Sequence, residues 1–395
     1  MEAPDMQDHP EGRRFFRLLL LGAVLASLPD RGHGLAAQES EERLPWRTSY
    51  FPYLHGLAND GPVLSAKLRY WQPAEYEART TYTAAFDVAA GLSARGSRYA
   101  TARFRAPGLW DDWRLDASLV AERLARFGYF GLGNDTEQNK DLVGPDTPFL
   151  YRVRRTRFDG RVELTRRIKE PFYVALRTDV QRVRFTTLPG PSVFRSDFGE
   201  RLEEDDLAGR LAFIYDTRDN EFNTRKGILA EAGVQVGSAN DGYNRWYAVL
   251  RGYLPIREGT ILAGRIAGSE LGGRPSLYAR FNIPTWNDQT PVLGGEYSHR
   301  SFDTGRFAGE GTLFGNFEVR HDVLPLGDLG ALSVIAFLDA GRVFEEEPFR
   351  LTTEDLHVGG GGGIALRILR STIFTFNFAG GPDGFNFSVG SGWMF

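Results

Sequence analysis

The sequence contains no cysteine, which excludes disulfides, thiolate metal sites and a cysteine-anchored lipid. Nor does one sign of charge dominate. Against 47 Lys and Arg stand 51 Asp and Glu, for a net charge of −4. A near-neutral chain offers nucleic acid no electrostatic handle, so no such partner is expected. Histidine is scarce, with six residues in 395 and none at metal-ligand spacing. No metal or cofactor is expected. Long apolar runs are missing too. The longest, LLLLGAVLASL at 18–28, falls short of the roughly 18 residues that a membrane helix needs.

That run follows Arg13, Arg14 and Arg17 and precedes Leu35, Ala36 and Ala37. Basic start, short apolar middle and small-residue cleavage site make a secretory signal peptide. Residues 1–37 are read as that signal, with cleavage near Ala37, and 38–48 as a short periplasmic N-terminus. The RRFF start also resembles a twin-arginine signal. A chain that must stay unfolded until it meets a membrane gains nothing from folded export.

What the sequence has in quantity is Gly, 46 residues, and aromatics at 13%. Both suit many strands joined by turns. RFDGRVELTR (157–166) sets Phe158, Val162 and Leu164 against Arg157, Asp159, Arg161 and Glu163. FYVALRTDVQ (172–181) sets Phe172, Val174, Leu176 and Val180 against Tyr173, Arg177, Asp179 and Gln181. LFGNFEVR (313–320) sets Leu313, Phe317 and Val319 against Asn316, Glu318 and Arg320. One such strand fits a soluble sandwich. Charges of both signs on the polar face of strand after strand fit a transmembrane barrel, apolar outside and charged within.

The pattern predicts about 16 strands, over 49–58, 62–72, 80–95, 98–106, 111–127, 149–168, 171–187, 205–219, 227–238, 242–256, 259–270, 309–322, 330–343, 357–369, 371–379 and 384–395. Long connections at 127–148, 188–204, 271–308 and 344–356 all follow odd strands. Short turns such as 167–171, 256–260 and 369–371 follow even ones. Long outside loops with short periplasmic turns predict an all-β, antiparallel, up-and-down barrel of the bacterial outer membrane, one domain over 49–395. The closing FNFSVGSGWMF (385–395) alternates as a strand, with Phe385, Phe387, Trp393 and Phe395 on one face. Trp393 and Phe395 are expected to face lipid at the periplasmic interface and to serve as the signal for the barrel assembly machinery, with Met394 inward.

Four segments together resemble the BamA/TamA-type outer-membrane assembly superfamily, the bacterial surface antigen family. YDTRDNEFNTRKG (215–227) resembles its Asp-Thr-Arg-Asp stretch and following Gly, here Asp216, Arg218, Asp219 and Gly227. FGYFGLGNDT (127–136) resembles its third-loop run, and HRSFDTGRFAG (299–309) its sixth-loop motif, with Arg300 and Phe302. FLDAGRVF (337–344) resembles its Phe-x-Asp-x-Gly strand. Ser301 stands where the family usually has Gly. About ten residues separate the cleavage site from the first strand, too few for the family's periplasmic POTRA repeats, so a barrel-only member is expected.

The resemblance implies that the sixth loop, 271–308, folds into the lumen and that Arg300 pairs with Asp339 and with Glu318. A guanidinium can fork two carboxylates, and a poorly hydrated lumen strengthens the pair. It also implies a role in protein insertion or translocation, or in lipid handling. Outer-membrane lipids, the barrel assembly machinery, and a client protein or separate periplasmic partner are the partners implied. The alternative is a passive pore or structural barrel. Catalysis is not expected: no Gly-x-Ser-x-Gly elbow occurs, and Ser298 beside His299 has no acid. The GGGGG run (359–363) lacks the third Gly of a dinucleotide loop and is read as a place of close backbone approach. DGYNRWY (241–247) is read as an interfacial aromatic girdle.

Overall fold

Alternation of apolar and charged residues produces a single antiparallel sheet that curls almost fully round. The computed structural model describes residues 44–57, 60–76, 78–368 and 372–395. The expected signal peptide, most of the segment after it and the turn at 369–371 lie outside the described residues.

Sixteen strands form the sheet among the described residues. They begin with β1 (Arg47–Leu57), β2 (Gly61–Pro73), β3 (Tyr82–Ser93), β4 (Arg98–Ala106), β5 (Trp113–Gly128) and β6 (Arg152–Lys169). Next come β7 (Phe172–Thr187), β8 (Arg201–Asp216), β9 (Gly227–Gly237), β10 (Tyr243–Arg257) and β11 (Thr260–Gly273). A two-residue hairpin, β12 (Asn282–Ile283) with β13 (Thr290–Pro291), interrupts the order inside the longest loop. The sheet resumes with β14 (Gly311–Pro325), β15 (Gly330–Phe344), β16 (His357–Ile368), β17 (Thr372–Gly381) and β18 (Gly384–Ser391). Every sequential pair is laddered, with β11 passing directly to β14. β1 and β18 approach each other, yet no ladder joins them among the described residues.

Parity sorts the side chains as the sequence predicts. Phe158, Val162, Leu176, Phe317 and Leu338 are exposed on the outer face. Arg161, Glu163, Arg177, Asp179, Glu318, Arg320 and Asp339 are buried inside. The lumen is therefore the core of this protein, and it is filled by ion pairs, aromatics and the loop 274–310 rather than by aliphatic side chains alone. At the long-loop end, Phe194 of the short helix α1 (Val193–Phe198) packs on Tyr129 and Phe185, with ring centroids 5.4 and 5.8 Å away.

Two expectations about facing fail. The last strand stops at Ser391, not Phe395. Gly392, whose N still donates to the Ile373 carbonyl at 2.9 Å, has a φ of +95° that turns the chain out of the ladder before Trp393 can pair with Thr372. Phe395 is consequently buried in the lumen, 5.0 Å from the Arg265 guanidinium, and the Arg320 guanidinium lies 4.2 Å over Trp393. Cation–π attraction to lumen arginines replaces the expected lipid contact. Of the aromatics in 241–247, only Trp246 points outward. Tyr243 and Tyr247 point inward and donate to Asp206 and Glu231 at 2.7 and 2.6 Å. A period of two sends neighbouring aromatics to opposite faces, so a girdle cannot include all three.

Candidate functional site

The loop 274–310 enters the lumen as two fingers. The second, 292–307, carries Arg300 to the middle of β14 and β15, where Asn316 pairs with Asp339 and Glu318 with Phe337 in the ladder. Arg300 Nε and its backbone N donate to Asp339 Oδ2 at 2.9 and 3.0 Å, and Nη2 donates to Oδ1 at 2.7 Å. Nη1 donates to Glu318. The other Glu318 oxygen accepts from Arg320 Nε at 2.7 Å. Asn316 Nδ2 donates to Asp339 Oδ1 at 2.8 Å and to the Ser298 carbonyl at 2.7 Å, while its Oδ1 accepts from Arg265 Nε at 2.9 Å. The Arg300 guanidinium lies 3.5 Å over the Phe337 ring. Arg300, Glu318 and Asp339 are at most 2% exposed, so the fork works in a desolvated space where a lost partner would be costly.

The tip fits without the family's glycine because the wall supplies glycines instead. Ser301 is not among the described residues with a left-handed backbone. Its side chain occupies the space that a Cβ would take at Gly359 and at Gly381, and its Oγ donates to the Gly380 carbonyl at 3.0 Å. Phe302 is buried in an aromatic nest, with His299 4.6 Å and Phe307 5.1 Å away. Asn386 of β18 donates to the carbonyls of Arg300 and Phe302 at 3.0 and 3.2 Å, which ties the finger to that strand. Ser298 Oγ bonds Gly294, and His299 Nε2 lies 3.0 Å from the His357 carbonyl, so the two neighbours do not form a catalytic pair.

The third-loop run closes over this finger. Gly133 N donates to the Ala308 carbonyl at 2.8 Å, and Asn134 Oδ1 accepts from Val343 N at 3.1 Å. Arg306 donates to Thr136 through both Nη atoms, at 2.8 and 2.6 Å, and to Asp383 at 2.6 Å. At the opposite end, Arg218 grips Asp216 at 2.9 and 3.0 Å, and Asp219 Oδ1 accepts from three backbone N–H groups of 220–226. β8 ends at Asp216, so Arg218 and Asp219 shape a turn rather than extend a strand. Gly227 has φ +110°, and a side chain there would strike the Thr217 backbone. These four residues are brought together with one another but not with Arg300.

Sequence reasoning missed the first finger, 282–291. Its tip lies against the far wall. Trp286 N donates to Glu231 at 2.9 Å and Trp286 Nε1 to Thr165 at 3.0 Å, and Asn287 N donates to Glu163 at 3.0 Å. Arg210 donates to the Pro284 carbonyl at 2.7 Å, Arg177 to that of Asp288 at 2.9 Å, and Arg103 to that of Asn287. The Pro-Thr-Trp-Asn-Asp run has turn-forming composition, and Asn287 adopts φ +64°. The inward arginines were legible by parity. Their convergence on loop carbonyls was not.

The Omp85 superfamily domain matches residues 83–393. BamA from Haemophilus ducreyi, in a structure lacking POTRA domains 1–3, shares the fold at TM-score 0.57 and 12% identity, over 89% of this chain and 71% of that one. CdiB from Escherichia coli does so at 0.55 and 13%, over 87% and 61%. CdiB from Acinetobacter baumannii does so at 0.51 and 11%, over 89% and 66%. No curated protein matches in sequence. Identities this low carry the fold alone.

Proposed function

This chain belongs to the Omp85 superfamily, and from that premise we propose that it is a bacterial outer-membrane barrel that assists protein insertion or translocation, or lipid handling, by parting along the seam between β1 and β18. The observation that carries this reading is the unladdered seam in a sheet that is otherwise laddered throughout. Backbone donors and acceptors at a strand edge are costly in hydrocarbon, and they are satisfied by pairing with an incoming strand. With an even strand number both ends of the sheet lie at the short-turn end, which on this reading is the periplasmic side. There the family's partners, a client and a separate periplasmic protein, would meet the barrel, while lipids surround it and the assembly machinery inserts it by way of Trp393 and Phe395. The Arg300–Asp339–Glu318 cluster acts as the lock that holds the sixth loop, so that the wall around β14 and β15 stays rigid while β1 moves.

The test uses the cysteine-free background. Cysteines are placed singly in β1 and β18 and oxidised in pairs, and the folding of a small outer-membrane barrel into liposomes bearing the protein is timed. Acceleration that vanishes on oxidation and returns on reduction is the expected result. A large steady single-channel conductance in the intact protein, with no effect on client folding, would establish the passive pore instead.

A further inference from the structure

We propose that the periplasmic half of the lumen holds a binding site for a phosphate group. A cavity of about 320 Å³ lies between the finger tip (Trp286, Asn287, Asp288) and the chain at Thr80, Thr81, Pro107, Glu221 and Phe222. Six arginines line it: Arg69, Arg103, Arg105, Arg114, Arg218 and Arg251. Five of them hold a carboxylate on one side, with Arg69 and Arg105 on Asp87 at 2.6 and 3.0 Å, Arg103 on Asp116 at 2.6 Å, Arg114 on Glu221 at 2.6 Å and Arg218 on Asp216 at 2.9 Å.

Arg251 differs. Its side chain makes no hydrogen bond or ion pair among the described residues, and its Nε is buried without a partner. The residue directly opposite it on β11 is Arg265, which is also inward. Like charges facing across a ladder repel. Arg265 spends its donors on neutral acceptors, the Asn316 side chain and the Tyr297 carbonyl, so neither arginine is in direct contact with a carboxylate among the described residues. The Arg105 Nε is buried without a partner as well.

Guanidinium forks suit carboxylate and phosphate alike. Here the arginines arrive from β2, β4, β5, β10 and the β8–β9 turn, and so from several directions. A planar carboxylate would meet them in one plane, whereas a tetrahedral phosphoryl group presents oxygens to several walls. The Trp286 ring, 5.4 Å from the Arg114 guanidinium, gives the site an apolar side.

Two probes test this on the folded mature chain in an uncharged detergent, by calorimetric titration: inorganic phosphate, and short-chain dihexanoyl phosphatidylglycerol. Saturable binding is expected, weakened about tenfold or more by Arg251→Gln and restored by Arg251→Lys, because one charge facing the anion is lost and regained. Arg182→Gln, in an exposed pair with Asp205 at the long-loop end, should bind as the wild type does. Saturation by phosphate alone assigns the site to a soluble phosphate, and saturation by the amphiphile only assigns it to a lipid headgroup. If Arg251→Gln does not fold, as judged by gel migration before and after boiling, Arg105→Gln takes its place with the same expected loss. Absence of binding by both probes, or equal binding by wild type and the arginine variants, overturns the proposal.

Discussion

The wall of β14 and β15 and the edge strand β1 belong to one sheet but are held differently. β14 and β15 are laddered from Gly311 opposite Phe344 to Pro325 opposite Ala331, and their inner face carries the Arg300 cluster. Among the described residues, β1 has a ladder on one side only. Its side chains are exposed on both faces, with Phe51 at 52% and Leu54 at 71%. Beyond β2, its side chains reach inward through Tyr53 and His55, which meet the Tyr99 hydroxyl at 2.9 and 3.4 Å. β18 lies between these extremes, a sheet edge whose Asn386 is tied to the loop finger. Aromatic content does not explain the contrast, since β1 is richer in aromatics than either strand of the wall. Contact with the folded-in loop does. A barrel clasped internally at one arc can loosen at another without unfolding.

The strongest way to break the comparison is to remove the clasp. Arg300→Ala leaves Asp339 and Glu318 buried with fewer partners, at a cost of about 3–5 kcal/mol that lumen water would reduce. Asp339→Ala should do the same. Both should lower the temperature at which gel migration changes on heating and speed external proteolysis within 274–310. In the double mutant the loss should barely exceed that of either single change, because residues in one network do not add. Strict additivity would show that the pair does not act as a unit, and the wall would then owe its rigidity to the ladder alone.

Trp286→Ala tests the other finger. Truncating a buried Trp costs about 3–5 kcal/mol, and the lower end is expected here because the adjoining cavity already leaves one side unpacked. Proteolysis should begin within 282–291 while 292–307 stays protected. Simultaneous cleavage of both segments would mean that the fingers detach together.

Gly359→Ala sharpens the contrast at a single atom. The new methyl would overlap Ser301, and such overpacking costs about 1–3 kcal/mol. Ser301→Gly in the same chain should return part of that stability, since it removes the two atoms nearest the methyl and leaves only the Gly380 carbonyl oxygen, 3.0 Å away, in tight contact. Failure of this rescue would show that the tip is not seated by glycine on the wall.

The barrel was legible because its period of two is repeated in every strand, and a shift of one residue would turn charges toward lipid. Phe158 and Arg161, or Leu338 and Asp339, declare their faces without any tertiary knowledge. The sixth-loop partner of Asp339 needed the family resemblance, because nothing local links Arg300 to a strand 39 residues away. Two things stayed hidden. Parity holds only while a ladder continues, so the inward turn at Gly392 and the burial of Phe395 could not be read from alternation. The Trp286 finger is held largely by backbone carbonyls and N–H groups, which every residue has, so side-chain identity gave little sign of it.

The smallest effect is expected at the edge, and it decides whether the comparison stands. Leu54 sits opposite Leu64 on the outer face, and both are largely exposed to the surroundings of the barrel. Hydrocarbon replaces the lost side-chain contacts of an outward leucine, so Leu54→Ala removes little that lipid does not restore. The backbone is unchanged by the substitution, so the ladder between β1 and β2 is kept. Thermal stability should move by no more than about 0.5 kcal/mol, as at other exposed sites, and protease resistance of 274–310 should not change. The same leucine-to-alanine change at outward Leu338 on β15, which is 52% exposed, is the matched control and should be equally mild. Together the pair separates face from position: if both are silent while Gly359→Ala is not, stability is concentrated on the inner face where the loop docks. If Leu54→Ala destabilises as much as Gly359→Ala, the β1 edge is held as firmly as the wall, and parting at the seam would require breaking the barrel rather than loosening it.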